Sequence, residues 1–448
     1  MIDFSLLTSV LAGVALLLVF ILRFKIQAFI ALLIASIVVG VLAGMPPLTI
    51  VKTMQEGMGN TLGFVAVVVG LGAIFGAILE HSGGAESLAT YLLEKFGEKR
   101  SSWALMLTGF VVAIPVFFDV AFIILVPMIY ALQRKTGKSL LLYGIPLLAG
   151  LAITHAFIPP TPGPVAVADI LKADLGWVIL FGCIAGIPTA IVCGPIFGKY
   201  IAKKIQVEAP PLGETVEIEK NTPPVIVIIT IIAIPIFLIV LNTVIRSPFF
   251  ESYNLPEIML QWLGMLGHPF SALIIANLIA WYALGVRRGF TKQQLLDIST
   301  KSMGPAGIII LLTGAGGVFK QMLVNTGTGE MLANYFADKG VSILLFAFLA
   351  AALVRILQGS STVAMITAAG LTAPLLTATS ISEPQKALLV VAIASGASIL
   401  SHVNDSGFWL VGKYLGLSEQ QTFKSWTVMT TLLALIGFVS TLILSIVF

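Results

Sequence analysis

The sequence predicts an all-α polytopic membrane protein of two inverted-topology repeats, each with a re-entrant hairpin and a discontinuous helix. Three observations predict it. Of 448 residues, 58% are hydrophobic and only 10% charged, against about 25% charged in a soluble domain. The apolar residues fall in runs of roughly 20, the length that crosses ~30 Å of hydrocarbon. Two apolar regions are fractured by stretches that cannot remain helical in lipid unaided, Thr154–Pro164 (THAFIPPTPGP) and Ser401–Gly407 (SHVNDSG).

Uninterrupted runs occupy Phe4–Leu22, Ala28–Met45, Thr61–Leu79, Trp177–Tyr200, Pro224–Ile245, Pro269–Val286, Pro305–Val324 and Trp426–Phe448. The first has no small-residue cleavage site before Arg23 and reads as a retained helix, not a signal peptide. Ser101–Leu132 and Val341–Leu376 are double-length, with short apolar arms on either side of a tip. Those tips are Phe117-Phe118-Asp119 and Gln358-Gly359-Ser360-Ser361-Thr362. Short arms around a polar tip predict re-entrant hairpins; a kinked spanning helix is the alternative.

In Thr154–Pro164 each proline lacks an N–H, and its ring clashes with the preceding turn. Backbone groups freed in this way are tolerated in a membrane only where protein or a water-filled cavity satisfies them. Both breaks are therefore candidate binding segments. The net charge of +4 resides in short loops and does not indicate nucleic acid. Cys183 and Cys193 share one span and carry no information about redox compartment.

The chain repeats itself. Gly70, Gly72, Phe75, Leu79, Gly83, Glu86, Leu88, Ala89, Tyr91 and Lys95 recur without a gap as Gly314, Gly316, Phe319, Leu323, Gly327, Glu330, Leu332, Ala333, Tyr335 and Lys339. Each half continues with a hairpin and then a broken helix holding a Ser/Thr–His pair, Thr154-His155 or Ser401-His402. Residues 1–27 form an N-terminal transmembrane helix. The first repeat is 28–205, with its hairpin at 101–135 and broken helix at 140–171. Residues 206–223 are a cytoplasmic linker, and 224–268 a connecting helix and external loop. The second repeat is 269–448, with its hairpin at 341–380 and broken helix at 385–415.

Lysine and arginine concentrate in cytoplasmic loops. Placing Arg23–Lys25 there brings most cations with it, Lys220 included, and leaves Lys52, Lys172, Arg246, Lys339 and Lys386 outside. Both termini are then external and the repeats are oppositely oriented. Inverted repeats with discontinuous helices at their interface are a transporter architecture.

Ionisable residues inside a membrane are costly and usually functional. Asp119 at the first tip is a candidate carrier of a coupling proton or a partner for Arg355. The Arg355 guanidinium can take a carboxylate bidentately; pairing with Asp119 or Asp405 is its other reading. His155 and His402 are candidates for proton relay or for contacts to substrate hydroxyls. Asn404, Asp405 and Ser406 are N-cap residue types, and a helix N-terminus inside a membrane attracts anions. Ser360, Ser361 and Thr362 offer hydroxyls at the second tip, and Gly163, Gly359 and Gly407 permit close backbone approach. Glu80 and Lys320 lie nearer segment ends.

The motifs RFK (Arg23–Lys25), GMGNTLG (Gly57–Gly63), THAFIPPTPGP, GSSTVAMIT (Gly359–Thr367) and SHVNDSGFWLV (Ser401–Val411) resemble the gluconate:proton symporter (gluconate permease) family over essentially the whole chain. The resemblance implies a scaffold domain and an elevator-like transport domain, a homodimer, and proton-coupled sugar-acid uptake across the bacterial inner membrane. Thr154, His155, Pro160, Thr161, Gly163, Arg355, Gly359, Ser360, Ser361, Thr362, Ser401, His402, Asn404, Asp405 and Ser406 are the expected substrate-binding residues. Asp119, His155 and His402 are expected to couple protons, with Phe117 and Phe118 at the hairpin tip. Asp119 and Thr161 depart from the family pattern of glutamate and histidine. Both changes touch the expected pocket, so a shorter aldonate or glycerate stands beside gluconate as substrate. No cofactor or metal is expected; sodium coupling is the rival within transporters. An intramembrane enzyme using Asp119 and Asp405 lacks HExxH and GxGD contexts, and a passive channel has less need of broken helices.

Overall fold

A computed structural model describes residues 4–210, 222–245, 256–327, 331, 342–377, 381–403 and 405–448. Asn404, Lys220, Arg246, Glu330, Leu332, Ala333, Tyr335 and Lys339, and most of the 206–223 linker, lie outside the described residues. Every described element is helical. The first half comprises α1 (Phe4–Leu22), α2 (Ala28–Leu42), α3 (Pro47–His81), α4 (Gly84–Phe96), α5 (Ser101–Val112), α6 (Phe118–Thr136), α7 (Leu141–Phe157), α8 (Pro162–Leu171), α9 (Leu175–Ile191) and α10 (Phe197–Lys204). The second comprises α11 (Val225–Ile245), α12 (Glu257–Gly267), α13 (Pro269–Ala280), α14 (Lys292–Asn325), α15 (Ile343–Gln358), α16 (Ser361–Thr377), α17 (Glu383–Gly396), α18 (Ser406–Tyr414), α19 (Glu419–Thr422) and α20 (Val428–Leu444). Among the described residues, 7 helical stretches are long and apolar enough to cross a membrane, counting Leu141–Leu171 across its break.

The apolar runs underestimate two helices. α3 and α14 contain 35 and 34 residues, about 50 Å each at 1.5 Å per residue, well beyond the hydrocarbon thickness. Each continues through a polar stretch rich in Lys, Gln and Met, which are good helix formers, and hydropathy does not register such turns as helix. α14 opens on a capping box between Thr291 and Gln294. The two helices run antiparallel: Asn325 Nδ2 donates to Thr53 Oγ1 at 2.9 Å at one end, while Gly314 faces Met58 and Leu62 further along. Their crossing is backbone-close, since a Cβ on Gly57 would lie 2.8 Å from the Gly317 carbonyl oxygen.

α5 and α6 are the consecutive helical pair of the first expected hairpin and α15 and α16 that of the second; α15 and α16 pack along each other, whereas α5 packs on α4 and α7 rather than along α6. The first turn is 113–117: Phe117 is the N-cap of α6, and Phe118 and Asp119 open its first turn. The second turn is Gly359-Ser360, where Gly359 has φ +90° and its N–H donates to the Arg355 carbonyl at 2.9 Å. Glycines set the docking of each first arm on the helix that follows the pair. A Cβ on Gly150 of α7 would lie 2.2 Å from the Met106 oxygen of α5, and one on Gly396 of α17 would lie 2.2 Å from the Phe348 oxygen of α15.

Both fractured segments are broken. α7 stops at Phe157, Ile158 is extended, and Thr161 is the N-cap of α8 with Pro162 in its first turn. The second gap, 397–405, is longer than the sequence suggests, because α17 already ends at Gly396. The two Ser/Thr–His pairs are consequently not equivalent. Thr154 and His155 are helical, whereas Ser401 and His402 lie within the gap. Of the seven apolar spans among the described residues, the first broken segment is the most enclosed, 83% of its most apolar window being buried, against 28% for Val225–Ile245.

Adding one methyl at Gly150 must push α5 away from α7. Gly150→Ala is expected to lower unfolding stability in detergent by about 1–3 kcal/mol. Gly59→Ala, where a Cβ meets nothing within 4 Å, is expected to leave the thermal transition unchanged.

Candidate functional site

A cavity of about 620 Å³ lies between the two helical-pair tips. Phe117, Phe118, Asp119 and Val120 line it from α6, and Ala152, His155 and Ala156 from the end of α7. Arg355, Gln358, Gly359, Ser360, Ser361 and Thr362 come from the second tip, and Ser398, Asp405, Ser406 and Gly407 from the second break. Trp426, Thr430 and Leu433, with Pro305 and Ile309 of α14, complete the wall.

Three helices begin at this cavity: α6, α16 and α18. The first turn of a helix carries N–H groups without intrahelical partners and roughly half a positive charge. At α16, Ser360 Oγ accepts from Val363 N at 3.3 Å, and Gln358 Oε1 accepts from Ser360 N at 2.9 Å. At α18, Asp405 Oδ1 accepts from Gly407 N at 3.0 Å.

The centre of the site is an ion pair. Arg355 Nη2 lies 2.5 Å from Asp405 Oδ2, with side chains only 6% and 12% exposed. Ser401 Oγ also donates to Asp405 Oδ2 and accepts from Trp426 Nε1 at 2.6 Å. The guanidinium is incompletely used, because its buried Nε has no hydrogen-bond partner. Across the cavity, Asp119 on α6 is the second carboxylate, repelled by Asp405. His155 Nδ1 is likewise buried without a partner, and its ring stands edge-on to Phe117 with centroids 6.4 Å apart. The site therefore combines one cation, two carboxylates, an imidazole with a free nitrogen and a rim of hydroxyls and amides. Chemically, such a set of groups can pair with an anion and exchange hydrogen bonds with hydroxyls.

Of the expected site residues, Asp119, His155, Arg355, Gly359, Ser360, Ser361, Thr362, Asp405, Ser406, Phe117 and Phe118 meet at the cavity. Asn404 lies outside the described residues, and the other described ones do not line it. Thr154 is fully buried and donates to the Phe110 carbonyl at 2.8 Å. Thr161 donates to the Ile158 carbonyl at 2.6 Å and, with Pro160, borders a separate small cleft. Gly163 faces Met365, whose sulfur would lie 2.7 Å from an added Cβ. Ser401 is buried behind Asp405, and His402 Nε2 is engaged with the Ile356 carbonyl at 2.9 Å. Glu80 and Lys320 also lie elsewhere; Lys320 Nζ donates to the Ile170 carbonyl at 2.6 Å near the end of α8. Of the two departures from the family pattern, only Asp119 reaches the cavity.

Trp426, Thr430 and Ser398 escaped the sequence reading. A π turn at Phe423–Thr427 precedes α20, and such turns are frequent at functional sites. The available signal was a tryptophan and several threonines opening an otherwise aliphatic span.

Residues 5–447 match the model of the GntP family permeases. A gluconate permease of Pseudomonas aeruginosa is 41% identical over 99% of this chain and 98% of its own length. A low-affinity gluconate transporter of Escherichia coli is 40% identical over 97% of this chain and 96% of its own. The crystal structure of the YdaH transporter of Alcanivorax borkumensis matches with TM-score 0.65, covering 98% of this chain and 99% of that one at 15% identity, a likeness of fold.

Removing one partner of a buried ion pair strands the other. Arg355→Met is expected to cost about 3 kcal/mol of unfolding stability. Adding Asp405→Asn to that variant is expected to restore most of the loss in a double-mutant cycle read by denaturant unfolding.

Proposed function

This chain belongs to the GntP permease family and is a multi-pass membrane permease, not an enzyme; from that premise we propose that it takes up gluconate or a related sugar acid together with protons, by alternating access. The observation that carries the reading is the convergence of three helix N-termini and one guanidinium on a single cavity. Oriented backbone dipoles and an arginine favour a carboxylate. The substrate's hydroxyls would meet Ser360, Ser361, Thr362, the free Nδ1 of His155 and the Asp119 carboxylate. Asp119, which opens onto the cavity with His155 beside Phe117, would receive and pass on the coupling proton. No other cofactor is invoked.

The antiparallel run of α3 against α14, the corresponding helices of the sequence repeat, supports inverted topology. In this reading the two helical pairs are re-entrant hairpins. They and the broken helices slide as a transport domain against the remaining helices, in a homodimer in the bacterial inner membrane with both termini outside.

Purified protein in proteoliposomes is expected to accumulate labelled gluconate when the outside is made acid. A protonophore is expected to abolish accumulation, and replacing sodium with choline to leave it unchanged. Asp119→Asn is expected to slow gradient-driven uptake about tenfold or more, the equivalent of one lost charge-assisted hydrogen bond. Uptake that follows sodium and ignores the pH gradient would remove the proton from the scheme.

A further inference from the structure

Resting on that reading, we propose that Asp405 is a built-in substitute for the substrate's carboxylate: it occupies Arg355 in the empty site and takes up the coupling proton when the substrate displaces it.

The geometry carries the argument. The ion pair faces the cavity in which a substrate would bind. It is made through one guanidinium nitrogen, leaving Nε buried and unpartnered, whereas a carboxylate ligand of arginine prefers two parallel N–H donors. A substrate carboxylate can therefore offer Arg355 more than Asp405 does. Asp405 is held independently of Arg355, by Gly407 N on Oδ1 and Ser401 Oγ on Oδ2, so it stays in place when the arginine turns away.

Charge then dictates the proton. The charged and titratable side chains lining the cavity are Asp119 and His155 on the far side and Arg355 and Asp405 on the near side. His402, in the same break as Asp405, faces the Ile356 carbonyl. One cation cannot neutralise a substrate carboxylate, Asp405 and the repelling Asp119 together, and an ionised carboxylate left buried without a partner is costly. A proton passed in through Asp119 or His155 settles on Asp405 Oδ2. The Ser401 hydroxyl, which now donates there, can turn to accept, as it already does from Trp426 Nε1. One ion pair breaks, one forms, and one proton enters with one anion, so the empty and loaded sites carry the same net charge. On release the substrate leaves, the proton departs to the inner side, and Asp405 returns to Arg355.

The test measures proton uptake on binding. Adding saturating gluconate to weakly buffered, detergent-solubilised protein is expected to withdraw about one proton per protomer. Gluconate affinity is expected to weaken about tenfold per pH unit, the slope for one linked proton. Asp405→Asn keeps an oxygen for the Gly407 cap. It is expected to bind gluconate without proton uptake and with flat pH dependence, and to exchange labelled gluconate across a vesicle membrane while no longer accumulating it. Asp119→Asn is expected to bind gluconate more weakly but, at saturation, still to withdraw about one proton per protomer. Wild-type protein that binds gluconate without taking up a proton overturns the inference whether or not any variant folds. So does an Asp405→Asn protein that still couples, or an Asp119→Asn protein that alone loses the linked proton. Wild-type protein that neither binds nor moves gluconate overturns the transport reading itself.

Discussion

A guanidinium inside a membrane protein must be neutralised, and the centre of this molecule is built around doing so. Arg355 lies in the last turn of α15 and Asp405 at the start of α18, so their pairing ties the second helical pair to the second break. The tie extends outward. Asp405 holds Ser401, Ser401 accepts from Trp426, and Thr427 Oγ1 donates to the Ser401 carbonyl at 2.5 Å. The Trp426 ring lies 5.7 Å from that of Phe118 at the other tip, and Phe117 meets His155 on α7. One contiguous set of contacts thus joins both tips, the second break and the last helix. In the transport reading, displacing Asp405 from Arg355 would loosen the link through which the tips are held relative to each other.

The breaks obey a different constraint, the satisfaction of freed backbone. Several hydroxyls in the fractured motifs and beside them serve this need. Thr161 donates to the Ile158 carbonyl, Thr154 to the Phe110 carbonyl, and Thr430 Oγ1 accepts from Ser401 N at 3.2 Å. A polar residue beside a broken helix in lipid has two possible employments, ligand or backbone partner, and the motif does not distinguish them. Geometry does: hydroxyls at the second tip face the cavity, whereas those of the first break face its own chain.

Much of the frame was legible because proline and glycine act locally. The prolines of 154–164 end α7 wherever it packs, and Gly359 allows a left-handed turn without knowledge of its neighbours. Asp119, His155 and Arg355 stood out because charge in an apolar run is rare. Long-range consequences were not legible. The pairing of Arg355 with Asp405 spans 50 residues and was one option among several. The apparent equivalence of His155 and His402 failed because the gaps differ in length, so one histidine ends a helix and the other lies in a loop. The tryptophan at 426 was visible in its aliphatic span but could not be assigned to the site, since its partner Ser401 is 25 residues away.

The two tips also differ in a way that follows from helix electrostatics. A helical hairpin brings the C-terminus of its first arm and the N-terminus of its second to one point, so their opposite partial charges nearly cancel. A side chain in either end turn decides the remainder. At the second tip Arg355 sits in the last turn of α15 and offsets the negative end, leaving the N-terminus of α16 unopposed. At the first, Asp119 sits in the first turn of α6 and offsets the positive end. When Asp405 carries the proton and no longer balances Arg355, the second tip is therefore electropositive and the first electronegative across the same cavity. In the transport reading, this polarity orients the cargo: the carboxylate is drawn to the second tip, and the hydroxyls, which can donate to Asp119, are left facing the first. In the same reading a dicarboxylate of the same length would set its second acid group against Asp119, so acids that end in hydroxyls would be favoured.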